Sequence, residues 1–83
     1  MRYTVEYSPK AEAALTRIWL GAIDRRAVTG AANFSDRLLK FAPLLVGRSS
    51  GSQRRPTIHP LVLTYEVFPN DCRVRVLEVI RVV

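Results

Sequence analysis

Along residues 2–7 apolar and polar side chains alternate, with Tyr3, Val5 and Tyr7 on one side and Thr4 and Glu6 on the other. A two-residue period of this kind predicts a half-buried β-strand. Ser8 and Pro9 then change the chemistry: a serine hydroxyl accepts from the free amides of a first helical turn, and proline suits the first helical position because its missing N–H would have no partner there. Beyond them Ala11, Ala14, Leu15, Ile18, Trp19 and Ala22 recur at three- and four-residue spacing. This stripe predicts a helix from Pro9 to about Gly21 with Trp19 in the core. Asp24 is placed to cap a second helix, whose stripe is Ala27, Ala31, Phe34, Leu38 and Phe41, widened by Val28, Ala32 and Leu39. Pro43 ends it, because the residue before a proline avoids helical angles. So short a link makes the helices an antiparallel hairpin. Gly30 within the second helix costs about 1 kcal/mol against alanine, so it marks either close packing or a weak point.

Residues 44–53 carry Gly47, Ser49, Ser50, Gly51 and Ser52, a loop composition with a mobile break expected at Gly51. Residues 54–60 are extended but interrupted by Pro56 and Pro60. That suits only a short edge strand or an irregular one. Two β-rich runs follow, residues 60–68 and 73–83, around the turn residues Pro69, Asn70, Asp71 and Cys72, and these predict a hairpin. In its second strand Val74, Val76, Ile80 and Val82 share a face with Glu78, while Leu77 and Val79 share the other with Arg73, Arg75 and Arg81. Both faces are then partly apolar, as for a strand covered by helices and a partner, or one in mid-sheet buried on both sides. The order β-α-α-β-β-β predicts an α+β fold of two layers, a helical hairpin packed on a mainly antiparallel four-stranded sheet. Eighty-three residues make one domain, 1–83, since so short a chain buries only about 60–65% of its unfolded surface.

Composition adds charge to this frame. The chain is 48% hydrophobic with a net charge of +6, and arginine supplies eleven of its thirteen basic residues. Arginine presents a planar fork of donors that fits phosphates and carboxylates. A nucleic acid or an acidic protein is therefore the expected partner, against the plainer reading of a solvated basic surface. The single Cys72 forms no internal disulfide, which favours a reducing compartment. The opening residues lack the apolar core of a signal peptide, and no apolar run approaches a membrane span, so a cytoplasmic protein without membrane contact is expected. One His and one Cys give no metal-site pattern, and no phosphate-cradling glycine motif or Ser/His/Asp set is visible. Neither metal nor cofactor is expected.

Taken in order, several segments resemble the RelE/ParE superfamily of bacterial toxins, the toxic halves of type II toxin–antitoxin pairs. They are residues 3–12, the run Ile18, Trp19 and Leu20, residues 36–39, residues 46–49, the pair Arg54 and Arg55, and residues 60–67 leading into 73–77. The resemblance spans essentially the whole chain. It implies a compact sheet with a concave basic surface, poisonous until a cognate antitoxin covers it, in a hetero-oligomer with that antitoxin. Members either cut messenger RNA on the ribosome or inhibit DNA gyrase, and the choice stays open here.

RNA cleavage needs a base for the 2′-hydroxyl, a cation for the phosphorane and an acid for the leaving oxygen. By the resemblance, Arg54 and Arg55 supply cations, Arg81 approximates the last-strand position, and His59 is the only imidazole. No Tyr or His follows Arg81 within these residues, so the acid–base set looks incomplete and binding is preferred to catalysis. Arg48, Arg73, Arg75 and Tyr65 are the expected target or antitoxin contacts. Each has a plainer reading. Arg54 and Arg55 keep an edge strand soluble, His59 bonds nearby backbone in a loop, Arg81 pairs with Glu78 or Glu66 across the sheet, and Tyr65 is core with its hydroxyl at the surface. The alternative for the whole chain is a non-toxic relative serving as an interaction or DNA-corepressor module.

Overall fold

The computed structural model describes residues 2–44, 48–50 and 52–82. Strand β1 (Thr4–Tyr7) leads into helix α1 (Pro9–Gly21), and a three-residue link leads to helix α2 (Arg25–Phe41). Strands β2 (Arg48–Ser50), β3 (Gln53–Arg55), β4 (Thr57–Ile58), β5 (Leu61–Phe68) and β6 (Arg73–Arg81) follow, the last two joined by a 3-10 turn at Pro69–Asp71. Both caps form as their chemistry predicts. The Ala11 N–H donates to Ser8 Oγ, and the Ala27 N–H to Asp24 Oδ1, each at 3.1 Å. Cys72 closes the turn before β6 at φ 47°, a left-handed conformation that a non-glycine residue seldom adopts.

The two-layer α+β expectation holds: two helices cover one face of a mixed, mostly antiparallel sheet in the order β1-β6-β5-β3-β2, with β4 also paired to β5. β1 runs parallel to β6, with Thr4 opposite Arg73 and Tyr7 opposite Val76. The sheet has six strands where four are expected, because residues 48–50 pair as strand where their composition reads as loop and the stretch after them divides at Pro56 into β3 and β4. Carbonyl and amide groups take a ladder whatever their side chains, and Ser and Gly are poor witnesses to it. The break expected at Gly51 lies outside the described residues. β3 is not an edge, since β2 covers it. Pro56 separates β3 from β4 while its carbonyl still accepts from the Leu63 N–H at 3.1 Å.

β6 corrects the face assignment. Thr64 lies opposite Glu78 but Tyr65 lies opposite Val76, so Leu77 is an extra residue, a β-bulge. Alternation therefore restarts after Leu77. Val74, Val76, Val79 and Arg81 face the helices, while Arg73, Arg75, Glu78 and Ile80 face away. Val79 is 2% exposed and Ile80 41%, the reverse of the unbroken reading. The bulge and the strand's interior place between β1 and β5 explain why both faces looked partly apolar. Ser8 holds the bulge, donating from its N–H to the Val76 carbonyl at 2.9 Å and from its hydroxyl to that of Leu77 at 3.1 Å.

The core gathers Ala11 and Ala14 of α1, Val28, Ala31 and Leu39 of α2, Leu61, Leu63, Tyr65 and Val67 of β5, and Val74, Val76 and Val79 of β6. α2 is rotated from the expected stripe. Its buried line is Val28, Ala31, Ser35 and Leu39, and Phe34 and Phe41 are more than half exposed. Ser35 can occupy the buried line because its hydroxyl donates to the Ala31 carbonyl at 2.6 Å, which satisfies the polar group inside its own helix. Trp19 is not core either. It lies at the helix–helix seam, its Nε1 donating to Thr29 Oγ1 at 3.0 Å and the Arg25 guanidinium 4.6 Å above its ring. Gly30 has no heavy atom within 4 Å of a Cβ built on it, so it is the weak point and not a close contact.

Candidate functional site

Register sorts the candidate residues onto two faces. The face away from the helices carries Thr4 and Glu6 of β1, Arg73, Arg75, Glu78 and Ile80 of β6, and Val62, Thr64, Glu66 and Phe68 of β5. Alternation along β3 adds Gln53, opposite Glu66, and Arg55. Arg75 lies between Glu6 on one neighbouring strand and Glu66 on the other. Glu66 Oε2 also accepts from Ser52 Oγ at 2.9 Å, and Glu78 pairs with Lys10 at 3.3 Å. Arg73 lays its guanidinium 5.0 Å over the Phe68 ring, and its buried Nε has no hydrogen-bond partner. Three arginines are thus interleaved with three glutamates among the described residues of the face where the resemblance implies a concave basic surface. Opposite charges on adjacent strands offset one another's field.

The remaining candidates lie elsewhere. Arg54 is opposite Tyr65, on the helical face. Tyr65 is 0% exposed and its hydroxyl donates to the Pro43 carbonyl, so it presents no surface to a partner and its hydroxyl does not reach solvent. Burial pushes its phenol up from the ordinary value, and the nearby Arg54 charge partly offsets the rise. Tyr7, half-buried on the same face, is pushed up by burial and, to a smaller extent, by Asp36, whose carboxylate holds Lys40 at 2.8 Å. Of Arg48 the structure gives its backbone place on β2, opposite Arg55.

Arg81 lies opposite Leu61, so it faces the helices and not Glu78 or Glu66, and pairs with neither. It lines a cleft of about 360 Å³ where α1 turns into α2, with Ile23, Asp24, His59, Pro60 and Val82 among its neighbours. His59 is exposed there, and no hydrogen bond to it is found among the described residues, so it does not bond nearby backbone as a loop residue would.

The four residues expected to cut RNA are therefore not brought together. Arg55 looks away from the helices; Arg54 and Arg81 look toward them but are opposite Tyr65 and Leu61, four residues or about 13 Å apart along β5. Buried Leu63 and Val79 lie between. His59 and Arg81 share a cavity. Sequence reasoning missed that cleft because Ile23 and Asp24 meet Arg81 only through the fold, and no spacing along the chain announces it. It also missed the apolar side chains left outside, Trp19, Leu20 and Ile23 near the helical turn and Phe34, Phe41 and Leu44 along and after α2. Among the described residues no cluster of three or more His, Cys, Asp and Glu could hold a metal, and no helix is long and apolar enough to cross a membrane.

Solved structures from toxin–antitoxin systems share this arrangement of a helical hairpin on a mixed sheet over nearly the whole chain. A chain of the toxin–antitoxin complex RelBE2 from Mycobacterium tuberculosis superposes with a TM-score of 0.81 at 20% identity, covering 98% of this chain and 99% of the other. The chromosomal ParDE system from P. aeruginosa gives 0.75 at 20% identity, with 99% and 98% covered. The isolated E. coli RelE toxin gives 0.63 at 15% identity, covering 98% of this chain and 85% of its own. No protein-family model matches the sequence, and neither does any curated protein.

Proposed function

We propose that the chain is the toxin component of a type II toxin–antitoxin pair, cytoplasmic, held in a hetero-oligomer by a cognate antitoxin, and acting by binding its target and not by cutting RNA. The observation that carries the reading is end-to-end coverage: solved toxin–antitoxin complexes share the fold over 98–99% of this chain. Two features of the molecule support it. The exposed apolar side chains on the helices are surface that a bound protein would cover. The net charge of +6 favours an acidic partner. Separation of Arg54 and Arg55 from His59 and Arg81 supports binding over cleavage, because acid–base catalysis requires its groups within reach of one substrate. Between the ribosome with its message and DNA gyrase, binding without cleavage fits gyrase better.

Arg55, Arg73 and Arg75 form the proposed contact surface for target or antitoxin on the open face. Interleaved glutamates there also favour a second reading, a non-toxic relative kept as an interaction or DNA-corepressor module. Co-expression with the protein encoded beside it tests the pair. A stable complex through gel filtration is expected, and two proteins that elute separately would overturn the hetero-oligomer. Mapping transcript ends after induction tests the mode of action: codon-linked cuts contradict binding without cleavage.

A further inference from the structure

The cleft at the α1–α2 turn joins an exposed cation to an aliphatic rim. Arg81 is exposed, and no hydrogen bond or ion pair engages its guanidinium among the described residues. Asp24, the one carboxylate lining the cleft among the described residues, already accepts from the Ala27 N–H at 3.1 Å as the cap of α2. Around them stand Ala22, Ala27 and Val28, with Val82 37% exposed and Ile23 wholly exposed. The floor is fixed, since the Val82 N–H donates to the Pro60 carbonyl at 2.8 Å.

That combination selects among occupants. A nucleic-acid backbone would satisfy the guanidinium but leave Ile23 and Val82 in water. A second copy would bring a further net charge of +6 against the first. A peptide whose carboxylate side chain is flanked by aliphatic ones satisfies both parts, as a charge-assisted hydrogen bond within an apolar rim. We propose that this cleft is a recognition site for an acidic, aliphatic segment of a partner protein, its carboxylate on Arg81 and its aliphatic neighbours on Ile23 and Val82. The proposal rests on reading the chain as one half of a protein pair, but its test measures binding alone. A chain that arrests growth yet fails this test loses the cleft and keeps the toxin reading.

The test is an NMR titration of the folded chain with a capped pentapeptide of alternating leucine and glutamate, with the leucine–lysine peptide as control. Saturable shifts confined to Ile23, His59, Arg81 and Val82 are expected with the acidic peptide only. Arg81→Gln should weaken it about tenfold or more, while Arg2→Gln, the same loss of charge at the far end of the sheet, should change it less than twofold. Equal weakening by the two variants, equal binding of the lysine peptide, or shifts spread over the surface would overturn the assignment. Unchanged amide spectra for both variants establish that the comparison is between folded proteins.

Discussion

Tyr65 shows how a residue that reads as a surface contact serves the interior. Its ring is buried on β5 and its hydroxyl takes the carbonyl of Pro43, tying the chain after α2 to the sheet. Tyr65→Phe removes the donor and leaves that carbonyl unpaired, so a loss of about 1–2 kcal/mol in urea unfolding is expected. The raised phenols of Tyr65 and Tyr7 also set an alkaline limit. Folding holds these protons more tightly than the unfolded chain does, so the stability they contribute is complete below their ordinary value near 10 and falls as pH rises through the folded values. Melting temperature should therefore drop above pH 10, and Tyr7→Phe with Tyr65→Phe should flatten that drop. Residue types were legible here and their faces were not. Arginine at 54, 55, 73, 75 and 81 suits an anionic partner, but which of them share a face depends on strand register and on one inserted residue.

At the scale of elements, local chemistry was legible wherever it was strong. Ser8 with Pro9 and Asp24 mark both helix starts, the apolar runs mark β5 and β6, and all form within a few residues of expectation. What escaped has a common physical cause. The Leu77 bulge, the burial of Ser35 and the seam position of Trp19 are settled by which elements pack against each residue, and neighbours in sequence carry no trace of it. The bulge makes a sharp prediction. Val79→Ala should cost about 2 kcal/mol and Ile80→Ala less than about 0.5 kcal/mol, whereas a strand without the bulge would give the opposite order in chemical denaturation. Gly30 offers the converse test: with open space around its Cβ position, Gly30→Ala should stabilise α2 by about 1 kcal/mol and raise the melting point by about 4–8 °C.

For the whole molecule, the two sides of the sheet expose different surfaces. The open face alternates arginine with glutamate, while the helices carry the apolar surplus. A partner that covers the helical side and leaves the open face to be masked or freed separately fits this division. Arg55 is exposed on the open face, so Arg55→Glu should leave the melting point within about 4 °C of the parent while abolishing any growth arrest. The toxin account itself is tested most directly by viable counts after the chain is induced alone in a bacterial host, with soluble folded protein verified in the same cells. The account predicts that colony formation falls within a few generations and returns when the neighbouring protein is co-induced; undiminished counts at confirmed expression would contradict it.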